Sequence, residues 1–263
     1  MSTAASAVPR ESRIAGSHLF LLFVCGTWLA WSAIRPHDYL TWMLEVFPGV
    51  LGIAALIALY NRFRFTTLVY TLIVFHCGIL FIGGHYTYAE VPLFSWIRDH
   101  FHLARNDYDR VGHFAQGFVP YLIAREVAIR RGVFRSKGWR IFFSVGVCLA
   151  ISALYELIEW QSAVLGGASA NAFLGTQGDP WDTQEDMATA LFAALIAEPV
   201  MGRLHDRALA ALARTNAPGT RVPNETTMNA LEAAGGSGSS NDGSPGTRQP
   251  SPVMPETQIA RLH

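Results

Sequence analysis

Six apolar stretches of near-membrane length, at 19–34, 42–60, 67–84, 112–129, 141–165 and 187–202, constrain this chain more than any other feature. A bilayer core of about 30 Å takes about 20 helical residues to cross, and the shorter stretches reach that length with their flanking aromatic and polar residues. A soluble helical bundle would need polar faces at helical spacing along most of each run. The first three runs have none. The expected fold is therefore all-α: a polytopic membrane helix bundle of about six transmembrane helices.

Composition agrees. Of 263 residues, 51% are hydrophobic and 15% charged, and 20 basic residues balance 20 acidic ones, which excludes a basic nucleic-acid binder and an acidic disordered chain. Lys and Arg are retained on the cytoplasmic side of short connections. They gather before the first run (Arg10, Arg13), after the second (Arg62, Arg64), after the fourth (Arg125, Arg130, Arg131, Arg135, Lys137, Arg140) and after the sixth (Arg203, Arg207, Arg214). Both termini are thus expected in the cytoplasm of a bacterial inner-membrane protein, with a cytoplasmic segment at 1–18, a transmembrane domain at 19–205 and a disordered cytoplasmic tail at 206–263. The tail is rich in Gly, Ser and Pro and has too little apolar surface to offset its backbone entropy. The three cysteines, Cys25, Cys77 and Cys148, fall inside spans without metal-ligand spacing and read as small buried residues. The stretch 91–103, with Phe94, Trp96 and Phe101 among charged residues, reads as an amphipathic piece at the outer interface.

Three polar faces carry the chemistry. Asp109, His113 and Gln116 open the fourth helix at i, i+4, i+7. Ser152, Glu156 and Glu159 repeat that spacing near the end of the fifth, and Asp182, Asp186 and Thr189 at the start of the sixth. With the termini inside, all three faces come to the extracytoplasmic end. Asp179-Pro180-x-Asp182 is also a helix-start signal, so Asp179 reads as a cap.

Carboxylates at that depth need a cavity, a partner or a cation. Arg110 is the nearest base, and one arginine cannot neutralise Asp109, Glu156, Glu159, Asp182 and Asp186. A divalent cation such as Zn, Mn or Mg suits histidine with several carboxylates: His113, Asp182 and Asp186 are the candidate ligands, with His85 at the outer end of the third helix as a further one. Glu156 or Glu159 would serve as general base, and Asp109 would orient His113. The chemistry expected is hydrolysis or group transfer on a lipid, a lipid-linked intermediate or an envelope component, with membrane lipids as the surroundings and no nucleic acid. Two other readings stand beside it: a polar cluster that only locks helices four to six together, and a proton-coupled transporter.

The segments Tyr108-Asp109-Arg110-Val111-Gly112-His113-Phe114, Tyr155-Glu156-Leu157-Ile158-Glu159-Trp160 and 174–187, with its Gly178-Asp179-Pro180-Trp181-Asp182 core, resemble the YjdF-like family of bacterial inner-membrane proteins. That resemblance runs from about residue 19 to 202 and implies a multi-helix inner-membrane protein without an established activity. A looser similarity is to VanZ-like membrane proteins, whose Asp-Lys-x-x-His and Glu-x-x-Gln patterns stand here as Asp109-Arg110-Val111-Gly112-His113 and Glu156-Leu157-Ile158-Glu159. By analogy it implies envelope or lipid-linked substrates.

Overall fold

The structure is a computed structural model that describes residues 14–166 and 176–216. These belong to one unit; the tail at 218–263 is a second unit and lies outside the described residues, as does the disorder expected of it. Among the described residues all regular structure is helical: α1 (Gly16–Ser32), α2 (Tyr39–Leu59), α3 (Thr67–Tyr86), a 3₁₀ turn (Tyr88–Glu90), α4 (Pro92–Phe101), α5 (Tyr108–Arg130), α6 (Lys137–Gly166) and α7 (Asp182–Asn216). Helix α2 starts at Asp38, whose carboxylate accepts the Thr41 N–H at 2.7 Å; that bond holds the Asp38 carboxyl below the usual carboxylate range. Helix α4 stops at His102, which takes the left-handed conformation.

Helices α2, α3, α6 and α7 are long and apolar enough to cross a membrane. Helix α1 has 17 residues, about 26 Å of rise. Helix α5 has 23 residues but carries Asp109, Arg110, Arg125, Glu126 and Arg130, and it is the hub, packed on α3, α6 and α7. Helix α7 runs past the expected boundary at 205 to Asn216, because Asp206-Arg207-Ala208-Leu209-Ala210-Ala211-Leu212 is a run of strong helix formers after Asp206.

The exterior is largely apolar, and charged groups are buried in the interior among apolar ones such as Val69, Phe81 and Leu122. Phe20, Phe23, Phe47, Leu51, Phe142, Leu154 and Leu157 are exposed, while Glu45, Asp109, His113, Arg125, Glu126, Glu156, Glu159, Asp182, Asp186 and His205 are buried. Such a surface suits hydrocarbon, and charged groups then face inward to find partners. Along α6 the buried Ser144, Cys148, Ser152, Glu156 and Glu159 make one stripe toward α5 and α7.

Two contacts set the spacing. A Cβ on Gly117 of α5 would come within 2.0 Å of the Ala190 carbonyl oxygen of α7, so these two backbones touch. The Tyr88 ring lies against Gly83 of α3 and Gly112 of α5, where a Cβ would meet it at 2.2 and 2.9 Å. Small residues at such positions let helices approach where apolar burial alone cannot drive them together.

Candidate functional site

The site is assembled where α5 and α7 begin. Asn106, fully buried, ties the approach together. Its Oδ1 accepts the Tyr108 N–H at 3.1 Å, its Nδ2 donates to the Val91 carbonyl and the Ser95 hydroxyl at 3.1 and 3.0 Å, and its backbone exchanges two 2.9 Å bonds with the Gln177 amide. Helix α4 and the segment before α7 are thereby fixed against the start of α5. Asp179 accepts the Trp181 N–H at 2.8 Å, so it caps a turn and the helix proper opens at Asp182, slightly later than the sequence signal suggested.

Three carboxylates and one imidazole meet there. His113 Nε2 lies 3.5 Å from Glu156 Oε1, 3.6 Å from Asp109 Oδ1 and 3.9 Å from Asp186 Oδ2. One ligand atom each from Asp109, His113 and Asp186 falls within 4.8 Å of the others. All four residues are buried, Asp186 to 1% exposure. Among the described residues, His113 Nδ1, Glu156 Oε1 and Asp186 Oδ2 are buried atoms with no hydrogen-bond partner. Such atoms are costly to bury without a partner. Glu159 is buried one turn further along α6.

A cavity of about 130 Å³ adjoins them, lined by His76, Tyr88, Asp109, His113, Gln116 and Tyr155 among others. One water needs only roughly 10–15 Å³ of such space. Pro120 also lines it, and because proline lacks the N–H that would bond the Gln116 carbonyl, it leaves that oxygen available.

Two expectations are corrected. Arg110 does not stand alone: Arg105 joins it. Arg110 bonds Asp186, the Asp182 carbonyl at 3.2 Å and Glu185 at 2.7 Å, and Arg105 bonds Asp182 and lies 3.5 Å from Asp179. Asp182 is therefore held by arginines and stands outside the three-residue group. His85 is not brought to the site; its Nδ1 is 3.1 Å from the Ser32 carbonyl oxygen and its ring packs on Trp31 at 4.5 Å, because the end of α3 turns this side chain toward α1.

Sequence reasoning missed Glu45, which accepts the Tyr155 hydroxyl at 3.0 Å from across the bundle. It also missed a second buried cluster, between the carboxyl end of α5 and the middle of α7. Arg125 donates to Glu198 at 2.6 Å and to Asp206 at 2.8 Å; Tyr121 and Lys137 also reach Glu198, at 3.0 and 3.2 Å. Glu126 accepts from Thr66 at 3.0 and 2.9 Å and from Arg130 at 2.9 Å, and lies 3.0 Å from His205 Nε2. Since Arg125 can only donate to His205 Nδ1, the N–H of His205 is at Nε2 and donates a hydrogen bond to Glu126. None of these side chains has an unpartnered buried atom.

An all-helical bundle with apolar flanks, buried charged groups and an acidic histidine site defines a polytopic membrane protein. The chain belongs to the family described as "Predicted membrane protein (DUF2238)", which matches residues 17–207. It is 47% identical over 181 residues to the Inner membrane protein YjdF of Escherichia coli (strain K12), covering 69% of this chain and 87% of that one. No solved structure matches.

Proposed function

We propose that this integral inner-membrane protein holds a divalent cation at the Asp109 end of α5, facing outward, and uses it for hydrolysis or group transfer on a lipid or lipid-linked envelope substrate. One observation carries the reading: His113 and three carboxylates from three helices converge with buried, unpartnered oxygens, whereas the Arg125 cluster further along the same two helices is closed by hydrogen bonds. Tetrahedral ligands at about 2.0–2.2 Å from Zn lie roughly 3.4 Å from one another, and Asp109 and Asp186 lie 3.6 and 3.9 Å from His113 Nε2, so a small inward shift of the carboxylates would close the set on an ion. Asp109, His113 and Asp186 would hold the ion, and three protein ligands with a position left open is the catalytic pattern. When bound, the ion supplies Lewis acidity and a more acidic water. Glu156 is placed to take a proton beside it, and Arg110 keeps Asp186 turned inward. Exposed Leu93, Trp96 and Phe101 on α4, tied to the site through Asn106, favour a substrate that arrives in the lipid interface.

A second reading has its own observation. The arginine pairs of Asp182 and Asp186 would serve a helix lock equally well. Metal content separates them. Detergent-purified protein is expected to carry near-stoichiometric divalent metal by plasma mass spectrometry, and monodisperse His113→Ala and Asp186→Asn to lose it. If wild type contains no metal and binds none on titration, the lock is the better account.

A further inference from the structure

A second cavity lies far from the acidic site, between α1 and α2. Each of these helices packs on α3, and they are tied to one another at one end, where Trp42 Nε1 donates to Ser32 Oγ at 3.1 Å. Toward the other end they splay. The slot between them measures about 360 Å³, within the roughly 300–1,000 Å³ of small-molecule sites. From Ile14 at its mouth to Cys25 at its floor, α1 rises about 16 Å.

The walls are apolar for most of that depth, with Leu22, Ile53, Leu56 and Val74 facing in. The mouth is polar. His18 Nδ1 is 2.8 Å from the Tyr60 hydroxyl, His18 Nε2 is 3.0 Å from the Thr67 hydroxyl, and the Tyr70 ring closes against His18 at 4.6 Å. The Arg64 guanidinium lies over the Tyr60 ring at 4.6 Å, which puts a cation at the rim. A long apolar slot with hydroxyls, an imidazole and a guanidinium at one end has the layout of an amphiphile. We propose that it binds one membrane lipid with an anionic headgroup, an acyl chain lying in the slot between α1 and α2 and the phosphate against Arg64 and Tyr60.

The test is native mass spectrometry of the full chain released from a non-ionic micelle, with added phosphatidylglycerol or phosphatidylcholine of the same chains. Wild type is expected to retain one phosphatidylglycerol about fivefold more strongly than phosphatidylcholine. Leu56→Trp and the milder Ile53→Phe, which fill the slot, and Arg64→Ala, which removes the cation, should each cut that retention to about the phosphatidylcholine level in variants that elute as wild type does. Leu154→Trp, on the exposed face of α6, should leave it unchanged. Retention that survives slot filling, falls equally with Leu154→Trp, or shows no headgroup preference overturns the proposal. If Leu56→Trp does not fold, Ile53→Phe decides it.

Discussion

His113 Nε2 and Glu156 Oε1 face each other at 3.5 Å across the interface of α5 and α6, too far for a strong hydrogen bond and close enough for both to touch one small ion. A ligand that binds only the folded state stabilises by mass action, about 2.7 kcal/mol at a hundredfold excess over its Kd. Chelation is therefore expected to lower the Tm of purified wild type by several degrees, at roughly 2–4 °C per kcal/mol, and re-added ion to restore it. His113→Ala should show neither change in a thermal-shift measurement.

Arg110 is the direct partner of Asp186, which is 1% exposed. Removing one member of a buried pair leaves the other charge uncompensated, at about 3–5 kcal/mol. Arg110→Ala should cost about 3 kcal/mol in denaturant unfolding, and adding Asp186→Asn should recover part of that stability while removing the metal. Full stability in Arg110→Ala alone would mean that Asp186 needs no guanidinium.

The Arg125 cluster joins the carboxyl end of α5 to the middle of α7 and has no unpartnered buried atom. Arg125→Met is expected to destabilise by about 3 kcal/mol or more, yet the protein that remains folded should carry as much metal per molecule as wild type. Loss of metal from folded Arg125→Met would show that the two ends are coupled.

Gly117 tests the contact between them. With Ala190 O only 2.0 Å from an added Cβ, Gly117→Ala must push α5 and α7 apart and should cost about 1–3 kcal/mol. Gly146, where a Cβ meets nothing within 4 Å, should gain up to about 1 kcal/mol from the same change through helix propensity. The pair of melting curves checks both signs.

How much of this was legible in the sequence depends on whether a contact leaves a spacing. Asp109 and His113 share a helix face, as do Ser152, Glu156 and Glu159, and the alternating basic connections bring those faces to one end; the structure brings Asp109, His113, Glu156 and Asp186 together. Arg105 reads as a loop charge offset by Asp107, and only the fold shows it against Asp182. Arg125 reads as a cytoplasmic retention signal, although it is 2% exposed and bonded to residues on α7. Glu45 meets Tyr155 from 110 residues away, which no periodicity records. His85 failed for a related reason: depth along a helix can be counted, but each residue turns the side chain by roughly 100°, and at a helix end nothing in the pattern fixes which neighbour it meets.

Arg110 meets Asp186 near the starts of α5 and α7, and Arg125 meets Glu198 further along both, so the two helices run in the same direction. Each amino end bears a partial positive charge of roughly half a unit on its unbonded N–H groups, and both ends point into the cluster of Asp109, Asp182 and Asp186. The acidic residues are thus supported by backbone dipoles as well as by two guanidinium groups. At its carboxyl end the α5 dipole reverses sign, and there Arg130 lies in the last turn. Parallel packing, held by a glycine small enough to let the backbones touch, therefore gives the molecule an electrostatic axis along α5 and α7.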